Sequence, residues 1–94
     1  MSAITRQGDK CSGHGAFPPR PSFAGSGNVF CNGVPVHRQG DPWEQHCDSI
    51  SCHGGTLSAG SGTVFVNGKA IGRTGDPVSC GSTVLEGSSN VSAG

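Results

Sequence analysis

Two stretches decide how the chain folds: GSGNVFCNGVPVHRQGDP over Gly25–Pro42 and GSGTVFVNGKAIGRTGDP over Gly60–Pro77, which align without a gap and agree at 11 of 18 positions. Each holds an Asn-Gly pair, Asn32-Gly33 and Asn67-Gly68, between residues that favour strands. Asn and Gly tolerate the positive φ that both central positions of a type I′ turn require, so each stretch predicts a two-residue β-hairpin. Counting outward from the turns sets Cys31 opposite Val34, Phe30 opposite Pro35 and Val29 opposite Val36. The second hairpin sets Val66 opposite Lys69, Phe65 opposite Ala70 and Val64 opposite Ile71. Side chains alternate along a strand, so Phe30 and Phe65 point to one face over small partners, and the Val29/Val36 and Val64/Ile71 pairs point to the other.

Fragments of the same pattern lie outside the two full copies. Arg6-Gln7-Gly8-Asp9 matches Arg38-Gln39-Gly40-Asp41, and Gly87-Ser88-Ser89-Asn90-Val91 matches the opening of both repeats. Gly-Ser therefore serves three times as a strand opener and Gly-Asp three times as a closer. Matching Arg-x-Gly-Asp endings do not follow from turn chemistry alone, so the copies are one repeated unit. No stretch has a helical period, and Gly or Pro interrupts most windows of helix length. The expectation is an all-β domain spanning residues 1–94, with repeat cores 25–42 and 60–77 and partial copies 6–9 and 87–91. Pro18, Pro19 and Pro21 stiffen the first long loop, and Ser88–Gly94 is read as a short last strand with a frayed end.

Composition says what such a domain lacks. Leu, Ile, Val and Phe number 17 of 94 residues, while Gly and Ser number 30. That apolar share lies below the roughly 20% of an ordinary globular chain, so the core is thin and needs a disulfide, a metal or a partner chain. Formal net charge is zero, which gives no electrostatic case for nucleic acid or an anionic membrane and leaves another protein as the expected partner. Met1–Asp9 has no apolar core of a signal peptide, and no apolar run is long enough to span a bilayer. Export would have to use another route.

The repeats are also where a resemblance appears. Pro35-Val36-His37-Arg38 and Ala70-Ile71-Gly72-Arg73 stand where the proline-alanine-alanine-arginine (PAAR) family has its name-giving tetrapeptide. The Gly-Ser openers, Val-Phe-x-Asn-Gly hairpins, Arg-x-Gly-Asp closers, the Cys52–Gly55 run CHGG and the Ser79–Gly81 run SCG resemble that family over nearly the whole chain. Neither tetrapeptide is literal, and Ser92 stands where the full copies have Phe30 and Phe65, which leaves the last strand less well anchored. The resemblance implies a small cone of three pseudo-repeated hairpin or strand units, with a zinc ion near the vertex. It implies a blunt base docked on a trimeric β-helical spike of a type VI secretion system or contractile phage tail. Transient contact with a target membrane, and cargo effectors as further partners, come with that reading. So does synthesis in the cytoplasm, followed by delivery outside the cell at the spike tip.

Five Cys and four His make metal the leading source of stability. His14 lies five residues after Asp9, His46 five after Asp41 and Cys80 four after Asp76, so three closers deliver a ligand to one part of the molecule. His53, heading the Gly54-Gly55 run, is the fourth candidate. His14, His46, His53 and Cys80 form a nitrogen-rich set suited to one structural Zn²⁺, with no open position for water, and the resemblance implies the same three-His, one-Cys set. Cys47 and Cys52 can form a disulfide in an oxidising compartment or stand in as ligands. His37 occupies the place of Gly72 and is read as a strand residue. Cys31 aligns with Val66 and is read as a buried free thiol, Trp43 belongs to the metal end or the docking base, and no role follows for Cys11.

The Gly-Asp carboxylates are read as turn acceptors of backbone N–H groups, with Arg38 and Arg73 as their ion-pair partners. No nucleophile elbow, dinucleotide fingerprint or His-Glu-x-x-His motif is present in the sequence. The expected function is a structural spike-tip cap in a complex of one chain with three spike subunits, and not an enzyme. A generic zinc-stabilised β-repeat binding module and, behind it, a small zinc hydrolase are the alternatives.

Overall fold

The computed structural model describes residues 2–94; Met1, the first residue of the expected domain, lies outside them. Eight short strands form four two-stranded antiparallel sheets, and no helix occurs among the described residues. β2 (Phe30–Cys31) pairs with β3 (Val34–Pro35), and β6 (Phe65–Val66) with β7 (Lys69–Ala70), in the register counted from the turns. Both turn pairs have positive φ, 55° and 77° at Asn32-Gly33 and 55° and 79° at Asn67-Gly68. The body measures 38 × 24 × 23 Å, with one long axis and two nearly equal short ones.

The two partial copies complete a third unit together. β8 (Ser92–Ala93) pairs with β1 (Ser2–Ala3), setting Ala93 opposite Ser2 as Cys31 is opposite Val34. The third hairpin thus uses one strand from each end of the chain. The expected frayed end is not seen: Ser92 is paired with Ala3, and the Gly94 carbonyl accepts a hydrogen bond from the Ser61 hydroxyl.

Equivalent atoms of the three units close a ring around one axis. Thr5 N–H donates to Gly72 O at 3.0 Å, Gly72 N–H to His37 O at 2.9 Å, and His37 N–H back to Thr5 O at 3.1 Å. Below this ring, toward the Asn-Gly turns, Ile4, Val36 and Ile71 pack with Cys31, Val66 and Ala93 as one apolar cluster. Above it a second cluster joins Cys11, Trp43 and Val78, each two residues after a closing Asp, to Leu57 and Val84. Cys11 is therefore the third unit's counterpart of Trp43. The Trp43 indole N–H donates to Asp9 O at 3.2 Å, which places it in the cluster that holds Cys80 at its margin rather than at the turn end. Cys31 is buried and free, as read. His37 is not a strand residue: it follows β3 and sits wholly buried on the axis, its ring 4.0 Å from Trp43.

Openers and closers recur for local reasons. A Cβ on Gly25, Gly60 or Gly87 would stand 2.7, 2.5 or 2.8 Å from the carbonyl oxygen of Val36, Ile71 or Ile4, so no larger residue fits. The following serine closes a turn, its hydroxyl accepting N–H from Val29, Val64 or Val91 at 3.0, 2.9 and 3.0 Å. In each closer Gly8, Gly40 or Gly75 has φ near +90°, at 94°, 92° and 89°, as position three of a type II turn demands. The Asp then accepts the Arg backbone N–H at 2.8 Å in all three units and pairs with its guanidinium: Arg6–Asp9 at 3.0 Å, Arg38–Asp41 at 2.9 Å and Arg73–Asp76 at 2.8 Å. Burial works against ionisation of Asp41, but the Arg38 guanidinium and backbone N–H outweigh it and hold the carboxyl below its usual range.

Candidate metal centre

The two longest strands carry half of the centre. β4 (Pro42–Cys47) and β5 (Cys52–Thr56) form a hairpin with Trp43 opposite Gly55, His46 opposite His53 and Cys47 opposite Cys52. Between the first two pairs β4 advances three residues and β5 only two, so a bulge sits at Glu44–Gln45. Plain alternation would put Trp43 and His46 on opposite faces. The extra residue turns both inward, where each is only 2% exposed. Cys47 and Cys52 form a disulfide at the far end of this hairpin, which removes them as ligands and ties the two strands beside His46 and His53.

Two turns bring the remaining side chains. His14 lies in a tight turn closed by reciprocal backbone bonds with Phe17, His14 N–H to Phe17 O at 3.0 Å and Phe17 N–H to His14 O at 2.8 Å. Cys80 is held in a turn in which Gly81 N–H donates to Val78 O at 3.0 Å and Val78 N–H to Ser82 O at 2.8 Å. Gly55 lets that turn come close, because a Cβ there would stand 2.9 Å from Cys80 Sγ and 2.8 Å from Val78 Cγ1.

The structure brings His14, His46, His53 and Cys80 together, their ligand atoms all within 4.8 Å of one another. His53 Nε2 lies 2.9 Å from His14 Nε2 and 2.7 Å from His46 Nε2, and Cys80 Sγ lies 3.7 Å from His46 Nε2. Tetrahedral zinc at ordinary bond lengths needs ligand separations of about 3.3 to 3.6 Å, so the closest nitrogen pairs would open by about half an ångström and the widest separations would close by about one. The donor chemistry points the same way. His46 Nδ1 lies 2.9 Å from the Pro18 carbonyl, which can only accept, so His46 carries its proton on Nδ1 and turns a lone pair inward from Nε2. His53 Nε2 faces two imidazole nitrogens with one site to offer, and no single proton satisfies both contacts. Loss of solvent, followed by the neighbouring His46 and His14 rings, holds His53 below the usual histidine value, favouring its neutral form. Converging lone pairs and a thiol form a group that can hold a metal ion.

Phe17 covers the three imidazoles, its ring 4.2 Å from His53, 5.0 Å from His14 and 5.1 Å from His46. Neither Phe17 nor the Pro18 carbonyl is marked by sequence spacing, since both act through a turn that only the folded chain reveals. His37 is absent from the cluster and belongs to the axis.

A family profile described as the PAAR motif matches residues 12–86. The chain belongs to the PAAR motif family. The match covers both full repeats and all four converging side chains, and it identifies a spike-tip type of protein of the kind that associates with spike proteins. No curated protein matches the chain significantly. Within the PAAR family this chain carries the repeat in split form, with Ala3-Ile4-Thr5-Arg6 standing where the full copies have Pro35-Val36-His37-Arg38 and Ala70-Ile71-Gly72-Arg73.

Proposed function

We propose that one copy of this chain caps the tip of a trimeric β-helical spike in a type VI secretion system or contractile phage tail, in a 1:3 complex. The observation that carries the reading is the internal symmetry. Three units of one chain close a backbone ring around an axis, so a single molecule offers three similar surfaces to three identical subunits. The cap holds one structural Zn²⁺ through His14, His46, His53 and Cys80 at the end remote from the Asn-Gly turns. Bound zinc supplies four strong bonds that join two turns and a hairpin, and four protein ligands leave no site for a substrate water. The turn end then meets the spike, and the metal end leads into the target membrane.

Zero formal charge supports a protein partner over nucleic acid. The chain is made in the cytoplasm and leaves the cell on the spike, with cargo effectors as further partners. Electron cryomicroscopy of the spike purified with and without this chain tests the reading. The expected result is extra density the size of one copy on the distal end of the spike. Density along its shaft, or none, contradicts it.

A further inference from the structure

Phe30 and Phe65 hold the same place in two units, opposite Pro35 and Ala70 and one residue from the β2 and β6 turns at Asn32 and Asn67. Their neighbours Cys31 and Val66 are buried in the axial core, yet the two phenyl rings are 56% and 59% exposed. Singly exposed apolar residues are ordinary, but two phenylalanines held open at positions related by the internal rotation are a pattern. They contribute nothing to the core, and the third position shows that the fold manages without a ring there. Ser92, paired with Ala3, stands at that place and is exposed.

We propose that Phe30 and Phe65 are the apolar anchors for the threefold partner, entering two of its three identical pockets while the third faces Ser92. This rests on the capping reading above. The commitment to a threefold occupant comes from the rotation that relates the two rings, because only a partner with that rotation offers both the same pocket. Such a partner cannot distinguish which of the three units carries a ring. Affinity then depends on how many rings are present and not on where they are.

Dissociation of the chain from the immobilised spike trimer of its own system, followed by biolayer interferometry, tests this. Phe30→Ser and Phe65→Ser each weaken binding by the same factor, on the order of 10- to 100-fold for half a ring left unburied. Ser92→Phe tightens it by a similar factor. The double variants F30S/S92F and F65S/S92F return to the wild-type value, because the ring has only moved round the axis. Melting temperature and metal content, unchanged in all variants, verify the fold, and Ser92→Phe alone keeps the test open if removing a ring impairs folding. Unequal losses that the doubles do not restore, or no change at all, overturn the anchor assignment while leaving the cap in place. Failure of the wild type to bind the trimer overturns both. Self-association of this chain that is lost in F30S/F65S would assign the rings to a second copy instead.

Discussion

His37 and His46 are both almost wholly buried, but their surroundings differ in kind. His46 presents a lone pair to the His53 imidazole and the Cys80 thiol, whereas the His37 ring packs at a tilt against Trp43 with its Nδ1 beside Ser22 and Ala24 and its Nε2 unpartnered. His46→Ala and Cys80→Ala are therefore expected to lose bound zinc, while His37→Ala keeps one zinc per chain and still destabilises by about 2 kcal/mol or more through the cavity it leaves. Metal content by plasma mass spectrometry, not folded yield, separates the two roles. Burial lowers the His37 pKa to about 4, so the unfolded chain binds a proton that the folded chain refuses between about pH 6.5 and 4. Stability from this residue is full above that window and falls as pH drops through it, levelling off below about 4. Urea melts of wild type and His37→Phe across the window check it, with a shallower decline expected for the variant. At this scale the spacing from each closing Asp made the convergence of His14, His46 and Cys80 legible. Cys11 and Trp43 were not legible, because Cys, Trp and Val fill one symmetric layer with unrelated chemistry.

The hairpins at Asn32-Gly33 and Asn67-Gly68 were readable to the residue because a type I′ turn fixes register by itself. The β4–β5 hairpin was not. Its sequence, Pro42–Thr56, has no alternating apolar pattern, and its inward positions are set by a bulge that breaks alternation between Trp43 and His46. Two substitutions test how this element builds the centre. Gly55→Ala places a methyl 2.9 Å from Cys80 Sγ, so it should weaken zinc retention against a chelator by at least tenfold while leaving both Asn-Gly hairpins intact. Replacing Cys47 and Cys52 together by Ala removes a short covalent loop, and it should lower stability by about 2 kcal/mol on loop-closure entropy. Zinc should still bind, because neither sulfur belongs to the converging group. Thermal melts with metal analysis on each variant read out both effects.

For the whole molecule the decisive feature is closure. The partial copies 6–9 and 87–91 were visible as separate fragments, but nothing local in either one reveals that the strands flanking them, Ser2–Ala3 and Ser92–Ala93, pair, because that ladder joins segments far apart in the sequence. Once joined, they complete the ring that a thin apolar composition could not support alone. The two core clusters are small, and on the proposed function a zinc ion would tie the Trp43 cluster to the loops around it. Stripping the metal should therefore unfold that end first, seen as loss of Trp43 fluorescence anisotropy and amide protection near β4 and β5 before protection at the Asn-Gly hairpins. The central claim is that one chain imitates a threefold object and caps a real one, and native mass spectrometry of the chain mixed with its spike addresses it directly. The account predicts a single species of three spike subunits, one copy of this chain and one zinc ion; a 3:3 complex, or a stable homotrimer of this chain by itself, would contradict it.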